Sequence, residues 1–330
     1  GTLRPAGPRW ESSGNWAWAM WERSWPGLGW QGKALPRLRP QRPALWESGE
    51  RMAINFCNLV DKLVLVTGGG TGIGQGIAMA LGEMGADVAL HYSRSAEGAA
   101  EAVAHIREQG RRAIAIQGNL EVVEECLRVV DEAAEFLGGL DGLVNNAGIT
   151  TTIDFLDVSE EQFNRSYNLN IRGQFFCSQQ AVRHMVERGR ALQRVDPGLH
   201  WAGGSIVNIS SVHAALGSPG HSVYAGTKGA INAFTRELAI ELLPLHIRAN
   251  VLAPGTIEVP SYWRKSPGYT REAGNKIVPW GRVGLPEDVG YLAAYLISDG
   301  SEFMTGSVLY FDGGLTAKMA LPEQPSQSEG

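Results

Sequence analysis

The fold of this chain is decided by the stretch Lys62-Leu-Val-Leu-Val-Thr-Gly-Gly-Gly-Thr-Gly-Ile-Gly74. Its first half is a short run of Leu and Val, which is typical of a strand buried on both faces of a parallel sheet. Its second half is a glycine-rich turn that opens a helix-like segment, Ile73 to Met84. Gly68, Gly72 and Gly74 permit a tight turn and let a pyrophosphate approach the backbone at the start of that helix. A glycine-rich turn directly after a first strand therefore predicts a nucleotide-binding βαβ unit.

The alternation of strand and helix continues along the chain. Six further apolar runs are predicted to be strands, at residues 87–92, 112–117, 142–145, 205–210, 247–252 and 307–311. Helical spacing of apolar residues lies between them, at 96–109, 121–137, 163–187, 222–243 and 287–298. Since βαβ crossovers are right-handed, this order predicts a doubly wound α/β fold of the Rossmann type: a single domain with a seven-stranded parallel sheet covered by helices on both faces.

Two long stretches interrupt this alternation. Residues 188–203 form a polar loop, and residues 256–284 combine aromatic side chains with Gly and Pro and have weak helical character. Long loops in compact domains commonly serve as lids or interface segments, and we expect the same of these two.

The two ends of the chain differ in composition from its middle. Residues 1–51 are rich in Trp, Pro and Arg, and residues 1–50 contain no Val, Ile, Phe or Tyr. Such a segment forms strands and helices poorly, so we interpret residues 1–51 as an irregular, disordered extension, with a Trp-rich interaction arm as the alternative. The functional domain is then expected at residues 52–320, followed by a disordered tail at 321–330.

Composition and charge exclude several classes of protein. No apolar run approaches the ~18 residues that a membrane helix needs, so no membrane partner is expected. The net charge of −5 argues against a nucleic-acid partner, because dedicated nucleic-acid binders carry a basic surface. Cys57, Cys126 and Cys177 are too far apart in sequence for a disulfide framework or a metal cluster. They indicate a reducing, cytoplasmic setting, and no metal site is expected.

A tyrosine and a lysine one helical turn apart indicate proton-transfer chemistry. Tyr224 and Lys228 lie on one face of the predicted helix 222–243. A free phenol titrates near ~10, and a neighbouring ammonium lowers its pKa toward the working range of a general base. Ser211 stands at the end of the fifth predicted strand, where a parallel sheet presents its functional groups. The three side chains together predict an acid/base site.

In the order and spacing of these motifs, the chain resembles the short-chain dehydrogenase/reductase family over roughly residues 58–315. The resemblance rests on Thr67-Gly-x-x-x-Gly-x-Gly74, Asn145-Asn-Ala-Gly148, Asn170, Ser211, Tyr224-x-x-x-Lys228 and Pro254-Gly255. It implies an NAD(P)-dependent oxidoreductase that transfers a hydride between nicotinamide and a hydroxyl or carbonyl carbon of a small molecule.

The resemblance also implies a role for each matching residue. Tyr224 would be the general acid/base, Ser211 would bind the substrate oxygen, and Lys228 would bind the nicotinamide ribose and lower the pKa of the phenol. Asn170 would position a water that links Lys228 to solvent. The residues expected to bind the cofactor are Tyr224 and Lys228 together with Gly68, Thr71, Gly72, Ile73, Gly74, Ser93, Arg94, Asn119, Leu120, Asn146, Ala147, Gly148, Pro254, Gly255 and Ile257.

The end of the second strand favours NADP over NAD. An acidic residue there would bond the ribose hydroxyls of NAD, but this chain has Ser93-Arg94-Ser95, and a guanidinium can pair with a 2′-phosphate. Thr71 stands where many NADP-using members have a basic residue, so NAD, or the use of both, stays open. Asn119 and Val259 also depart from the common Asp and Thr of the family, and the second change puts one hydrogen bond near the nicotinamide in doubt.

The sequence is less specific about the substrate than about the type of reaction. A resemblance to glucose 1-dehydrogenase and related sugar dehydrogenases rests on Thr71, Ser210-Ser-Val-His213 and the ending Tyr310-Phe-Asp-Gly-Gly-Leu-Thr316. His213 can bond a polyol, and Tyr262 and Trp263 can stack on a sugar ring, so an aldose 1-dehydrogenase is the first hypothesis. A 3-oxoacyl or other carbonyl reductase, which shares nearly every motif, is the alternative. A non-catalytic nucleotide-binding scaffold is the third.

Members of the family commonly pair two helices into a four-helix interface. From the resemblance we expect a homotetramer, or at least a homodimer, built through the helices at 160–187 and 222–243. Ile231, Leu238 and Leu242 are spaced to face the sheet, which leaves small and aromatic residues such as Phe234 on other faces of the second helix.

Overall fold

Seven strands form one parallel sheet in the order β3-β2-β1-β4-β5-β6-β7. The computed structural model describes residues 57–192, 203–265 and 268–319. The strands are β1 (Leu63–Val66), β2 (Asp87–Tyr92), β3 (Ala113–Gln117), β4 (Gly142–Asn145), β5 (Gly204–Ile209), β6 (Ile247–Pro254) and β7 (Val308–Phe311). Every neighbouring pair is parallel, so the predicted seven-stranded parallel sheet is confirmed.

Helices follow the strands and cover both faces of the sheet. They are α1 (Gly72–Glu83), α2 (Ala96–Glu108), α3 (Val123–Leu137), α4 (Glu160–Tyr167), α5 (Gln174–Ala191), α6 (Ser222–Glu241), α7 (Pro260–Lys265), α8 (Arg271–Ile277) and α9 (Pro286–Ile297). Short 3-10 turns lie at Phe155–Asp157, Val212–Ala214, Leu243–Leu245 and Asp299–Ser301.

The hydrophobic core lies in two layers, one on each face of the sheet. One layer holds apolar side chains of α1, α2 and α9, and the other holds those of α3, α5 and α6. Along β1, Val64 and Val66 belong to the first layer, whereas Leu63 and Leu65 belong to the second. A strand with apolar side chains on both faces is what the continuous Leu and Val run predicts, and the doubly wound arrangement is confirmed.

The long helix predicted over residues 163–187 is divided in the structure. α4 ends at Tyr167, a π-helix spans Asn168–Gly173, and α5 begins at Gln174. The hydrogen bonds of a π-helix run over five residues instead of four, which apolar spacing does not reveal. Residues 256–284, expected to have weak helical character, contain the short helices α7 and α8.

The predicted extension at 1–51 and tail at 321–330 lie outside the described residues, as does most of the loop at 188–203. The described residues all belong to one compact unit, Gly49–Gly330. The domain boundaries at residues 52 and 320 therefore stay predictions. Within the described part of the chain, no helix is both long and apolar enough to cross a membrane.

The order of the strands reverses at β1, which pairs with β2 on one side and with β4 on the other. Loops that leave the two sides of such a point run to opposite faces of the sheet and open a crevice at the carboxyl ends of the strands. The glycine-rich turn (Thr67–Gly74) lies at this crevice because it follows β1 directly.

Helices α1 and α9 pack against each other through glycines. A Cβ on Gly76 would lie 2.5 Å from the Cβ of Pro286, and one on Gly290 would lie 2.7 Å from the Cβ of Ala80. Any larger side chain at either position would push the two helices apart. This contact fixes the position of α1, and therefore also the position of the glycine-rich turn, which runs into the start of α1.

We expect Gly290→Ala to lower the free energy of unfolding by about 1–3 kcal/mol, because the added methyl group overpacks the contact between α1 and α9. This loss should exceed the gain of up to about 1 kcal/mol that alanine brings in helix propensity. The control variant Ala100→Gly, at an exposed position of α2, measures the difference in helix propensity between alanine and glycine without a change in packing. Denaturant unfolding measures both, and an unchanged or raised stability of Gly290→Ala would contradict the packing argument.

Candidate active site

A cleft of about 1070 Å³ opens at the carboxyl ends of the strands. It is lined by the glycine-rich turn and by the ends of β2 to β6 with the segments that follow them. Every residue predicted to bind a cofactor lines it: Gly68, Thr71, Gly72, Ile73, Gly74, Ser93, Arg94, Asn119, Leu120, Asn146, Ala147, Gly148, Tyr224, Lys228, Pro254, Gly255 and Ile257. Residues from six separate stretches of sequence thus meet in one cleft.

The glycine-rich turn leads into the start of α1, where the first backbone N–H groups have no partner within the helix. Gly68 has φ +67° and Gly72 has φ +56°, in the left-handed region that glycine adopts without strain. Thr71, which precedes the first turn of α1, makes no side-chain hydrogen bond to that turn. The N–H groups at the start of α1 are therefore available to an anionic group, and the helix dipole favours one. This end of the cleft fits the pyrophosphate of a dinucleotide.

Thr67 and Asn146 tie the glycine-rich turn to the end of β4. The Thr67 hydroxyl accepts hydrogen bonds from the N–H groups of Asn146 and Ala147, both at 3.0 Å. The Asn146 amide donates in return to the carbonyl oxygens of Thr67 at 3.0 Å and Gly68 at 3.1 Å. These four bonds hold the ends of β1 and β4 at a defined separation.

His91, at the end of β2, holds the other side of the turn and is 2% exposed. Its Nδ1 accepts from the Gly68 N–H at 3.1 Å, so its Nε2 carries the proton and donates to the Gly118 carbonyl at 3.1 Å. Burial lowers the pKa of His91 to about 4, so the ring is neutral near pH 7. Sequence reasoning missed this residue. The one available signal was a polar side chain within a buried strand, two residues before Ser93.

Tyr224, Lys228 and Ser211 meet on the side of the cleft formed by β5 and α6. α6 carries Tyr224 and Lys228 one turn apart, and the Lys228 Nζ lies 5.5 Å from the centre of the Tyr224 ring. Ser211 follows β5, and its Oγ accepts from the His213 N–H at 3.2 Å. The three side chains singled out from the sequence as an acid/base group therefore share one cleft.

Lys228 is held by the backbone of β5. Its ammonium donates to the Ile209 carbonyl at 2.8 Å, and the residue is 4% exposed. Burial lowers the pKa of Lys228 below its ordinary value, whereas negative charge on Tyr224 raises it. The charged form of Lys228 is thus stabilised when Tyr224 becomes a phenolate, which is the coupling that an acid/base tyrosine needs.

Asn170 lies in the π-helix, fully buried and behind the lining of the cleft. Its Oδ1 accepts from the Ile149 N–H at 2.8 Å. Its Nδ2 donates to the Ile149 carbonyl at 2.9 Å and to the Thr227 hydroxyl at 3.1 Å. Both amide hydrogens therefore help to hold α6 to the loop after β4, and the water relay that the resemblance implies for this residue stays a prediction.

Two histidine rings pack beside Tyr224 in the cleft. The rings of His213 and His221 stack with their centroids 4.6 Å apart, and both lie edge-on to Tyr224, at 5.5 and 6.4 Å. Tyr262 lines the same space, and its pKa is raised by burial and by negative charge on Tyr224. Sequence reasoning found His213 and Tyr262 but missed His221, which stands directly before α6, three residues ahead of Tyr224.

Trp263 departs from the prediction that it faces the substrate. It is absent from the lining of the cleft, is 54% exposed, and packs edge-on against Tyr269 with the ring centroids 5.0 Å apart. Neighbouring residues of a helix point about 100° apart. When α7 turns Tyr262 to the cleft, Trp263 must therefore turn away.

The ends of β2 and β3 form the remaining wall of the cleft. Ser93 and Arg94 follow β2, and Arg94 is exposed. Asn119 follows β3, and its Oδ1 accepts from the Glu121 N–H at 3.1 Å. An exposed guanidinium on this wall suits a phosphate group better than a bare ribose hydroxyl.

A crevice of dinucleotide size, with a tyrosine–lysine pair and a serine on its β5 side, defines the site of a nicotinamide-dependent oxidoreductase. Comparison with known proteins leads to the same class. The family model described as enoyl-(acyl carrier protein) reductase matches residues 68–316. The chain belongs to the short-chain dehydrogenase/reductase family, and it is an NAD(P)-dependent oxidoreductase.

The chain is also similar in sequence to individual proteins of this family. The chain is 36% identical over 274 residues to versicolorin reductase 1 of Dothistroma septosporum, covering 80% of this chain and 99% of that protein. It is 34% identical over 266 residues to a tetrahydroxynaphthalene reductase of Pestalotiopsis fici, covering 77% and 91%. A solved structure of a short-chain dehydrogenase from Burkholderia cenocepacia in complex with NADP is 35% identical, with a TM-score of 0.70 over 78% of this chain and 99% of that one.

Acidification should destabilise the protein through His91. Its pKa falls from 6.5 to about 4 on folding, so the unfolded chain binds a proton first and stability is lost as the pH falls from 6.5 to about 4. The loss over this window should be about 3 kcal/mol. Urea unfolding at a series of pH values measures it.

His91→Gln should remove this part of the pH dependence, since glutamine does not titrate. His105→Gln, on the surface of α2, is the matched control and should keep it. A pH dependence that survives in His91→Gln would show that other groups are responsible.

Proposed function

We propose that the protein is an NADPH-dependent carbonyl reductase acting on a ketone of a hydroxylated, fused aromatic ring system. The observation that carries the proposal is the meeting of Ser211, Tyr224 and Lys228 with the rings of His213 and Tyr262 in one cleft. Two relatives are named as reductases of versicolorin and of tetrahydroxynaphthalene, the second a fused aromatic ring with hydroxyl groups. A flat ring suits a wall made of aromatic side chains.

In this reaction Tyr224 is the proton donor. When bound, the nicotinamide nucleotide supplies the hydride that is added to the carbonyl carbon. The Tyr224 hydroxyl gives its proton to the carbonyl oxygen, which becomes the hydroxyl of the product. The Lys228 ammonium, 5.5 Å from the ring centre, stabilises the phenolate that remains until a proton returns from solvent.

Ser211 and Asn170 hold the reacting groups in place. The Ser211 Oγ accepts from the His213 N–H, a bond that leaves its own hydrogen available to the substrate oxygen. Asn170 bonds Ile149 and Thr227, and Thr227 immediately precedes Lys228 on α6. Asn170 therefore keeps the tyrosine–lysine pair in register with the loop after β4.

Three other functions remain to be compared with this one. A sugar 1-dehydrogenase is supported by the resemblance of Ser210-Ser-Val-His213, but the relatives described above are named as reductases of versicolorin and of tetrahydroxynaphthalene. A 3-oxoacyl reductase shares the motifs, and the matching family model is described by an acyl carrier protein substrate. A non-catalytic scaffold has no need for the complete set of Ser211, Tyr224 and Lys228.

Nucleotide absorbance with a panel of substrates tests the proposal. The panel contains a hydroxylated tetralone and an acetoacetyl thioester with NADPH, and glucose with NADP⁺. The hydroxylated tetralone should give the highest kcat/KM. Preferred turnover of glucose or of the thioester would overturn the proposed substrate class. Nucleotide binding without turnover of any of the three would favour the scaffold.

Tyr224→Phe should lower kcat by about 10²–10⁴-fold, because it removes the proton donor and keeps the ring. The Kd of NADPH and the melting temperature should stay unchanged. Steady-state kinetics and fluorescence titration measure these quantities, with Tyr310→Phe on β7 as the control for loss of a half-exposed phenol. A loss of kcat below about fivefold would remove Tyr224 from the mechanism.

We propose NADP as the preferred nucleotide, supported by Arg94 on the cleft wall and by the NADP complex of the Burkholderia relative. Arg94→Ala should weaken NADPH binding by roughly tenfold or more and leave NADH binding nearly unchanged, since only NADPH has a 2′-phosphate. Titration of both nucleotides measures this. Equal losses for the two would show that Arg94 does not contact that phosphate.

We propose a homotetramer, or at least a homodimer, that pairs α4, α5 and α6 of two copies. Phe163 is 42% exposed and Phe175 is 46% exposed, and the Phe175 ring lies 5.9 Å from that of Phe234. Partly exposed aromatic side chains on these helices are suited to burial by a second copy of the same surface.

Sedimentation at micromolar concentration should show a species of at least twice the 35.6 kDa chain mass. Phe234→Glu should shift it toward the single chain, because a carboxylate would be buried in the interface. A single species at the chain mass for the unaltered protein would refute the assembly.

A further inference from the structure

Glu258 is a buried carboxylate that lies next to the cleft but does not line it. It follows β6 and is 8% exposed, whereas its neighbours Ile257 and Val259 line the cleft. Side chains of an extended segment alternate in direction, so Glu258 points to the side opposite to its two neighbours. A carboxylate this buried requires partners, and both of the partners that follow come from the segment beyond α7.

The partners of Glu258 are Tyr269 and Arg271. The Tyr269 hydroxyl donates to Oε2 at 3.0 Å, and the Arg271 Nε lies 3.1 Å from Oε1 and 3.2 Å from Oε2. The second guanidinium nitrogen also bonds Oε1. The Arg271 guanidinium holds the pKa of Glu258 below its ordinary value, and burial and Glu258 raise the pKa of Tyr269 to about 12. The three side chains are called here the Glu258 cluster. At neutral pH Glu258 is negative, Tyr269 is neutral and Arg271 is positive.

Tyr269 links the Glu258 cluster to the cleft. Its ring lies edge-on to Tyr262, with the centroids 5.5 Å apart, and edge-on to Trp263 at 5.0 Å. On its other side it packs on α8, where a Cβ on Gly274 would lie 2.9 Å from the Tyr269 hydroxyl. Tyr262 is therefore supported from behind by a ring whose hydroxyl is bound to Glu258.

Backbone hydrogen bonds close the same segment at its base. The Glu258 N–H donates to the Gly284 carbonyl at 2.8 Å, and the Gly284 N–H donates to the Thr256 carbonyl at 2.9 Å. The chain from Thr256 to Gly284 thus returns to its starting point. The three residues of the Glu258 cluster belong to this segment, and their hydrogen bonds join its first residues to the start of α8.

We propose that Glu258 is a positioning residue: by holding Tyr269 and Arg271, it fixes Tyr262 as the wall of the cleft beside Tyr224 and so sets the affinity for the substrate ring. This rests on the proposed function, because it deepens the account of that same substrate side. Glu258 does not contact the reacting atoms. Its loss should affect substrate binding and leave the proton transfer by Tyr224 intact.

Glu258→Gln tests this with Glu272→Gln as the matched control, since Glu272 is an exposed carboxylate on α8 beside Arg271. The KM of the hydroxylated tetralone should rise by roughly tenfold in Glu258→Gln, because the apparent affinity falls with the fraction of the free protein in which Tyr262 is correctly placed. The kcat should stay within about twofold and the Kd of NADPH should not change, as an effect on binding alone requires. Glu272→Gln should match the unaltered protein. An unchanged KM, an equal effect in the control, or a fall in kcat larger than the rise in KM would overturn the proposal.

Tyr269→Phe provides a second variant that removes only a hydroxyl. It should raise KM in the same direction, and the double variant with Glu258→Gln should be no worse than Glu258→Gln alone, because the two side chains act as one unit. Additive effects of the two changes would contradict this coupling. If Glu258→Gln does not fold, Tyr269→Phe decides the proposal by the same split between KM and kcat.

Hydrogen exchange tests the role of Glu258 independently of the proposed function. Exchange at the amides of Glu258, Tyr262 and Gly284 should be faster in Glu258→Gln than in the unaltered protein and in Glu272→Gln. This readout needs no substrate. An unaltered protein that fails to reduce the tetralone would refute the proposed function only, whereas unchanged exchange in Glu258→Gln would refute the role of Glu258.

Discussion

The site depends on the hydrogen bonds that join the end of β1 to its two neighbouring strands. Thr67 and Asn146 join it to β4, and His91 joins the glycine-rich turn to β2. These bonds extend the pairing of β1 with its neighbours beyond Val66, and they fix the separation of the loops on the two sides of the strand-order reversal. Thr67 and His91 are almost fully buried, where an unpaired polar group is unfavourable. The turn is therefore ordered before a ligand binds, which reduces the entropy lost on nucleotide binding.

The sheet and the acid/base group could be predicted because both depend on local spacing. Tyr224 and Lys228 are one turn apart in any α-helix, and Ser211 follows a short run with three β-branched aliphatic residues that predicts a strand. The role of His91 could not be predicted, because its tautomer is set by the Gly118 carbonyl, 27 residues away in sequence. The π-helix was equally hidden, since Asn170 is held there by contacts with other elements.

The substrate side could be predicted least, because segments without a repeat build it. Tyr262 and Trp263 are adjacent aromatic residues, and nothing in the sequence distinguishes their roles. The short helix α7 directs Tyr262 to the cleft and leaves Trp263 exposed. Glu258 belongs to no motif, and its partners lie at and before a short helix that apolar spacing indicates only weakly. The nucleotide end of the cleft is made of motifs and the substrate end is made of tertiary contacts. For this reason the sequence indicates the reaction more sharply than the molecule that undergoes it.

The π-helix between α4 and α5 is a single wide turn that takes up one residue more than a regular helix would hold. Each residue of an α-helix turns the direction of the next side chain by about 100°, so an extra residue in a regular helix would rotate everything that follows it by that angle. The wide turn absorbs this rotation locally, and Cys177 and Met185 of α5 stay buried. Deleting one residue from Asn168–Gly173 would therefore leave α5 in its place, but it would remove the turn from which Asn170 reaches Ile149 and Thr227.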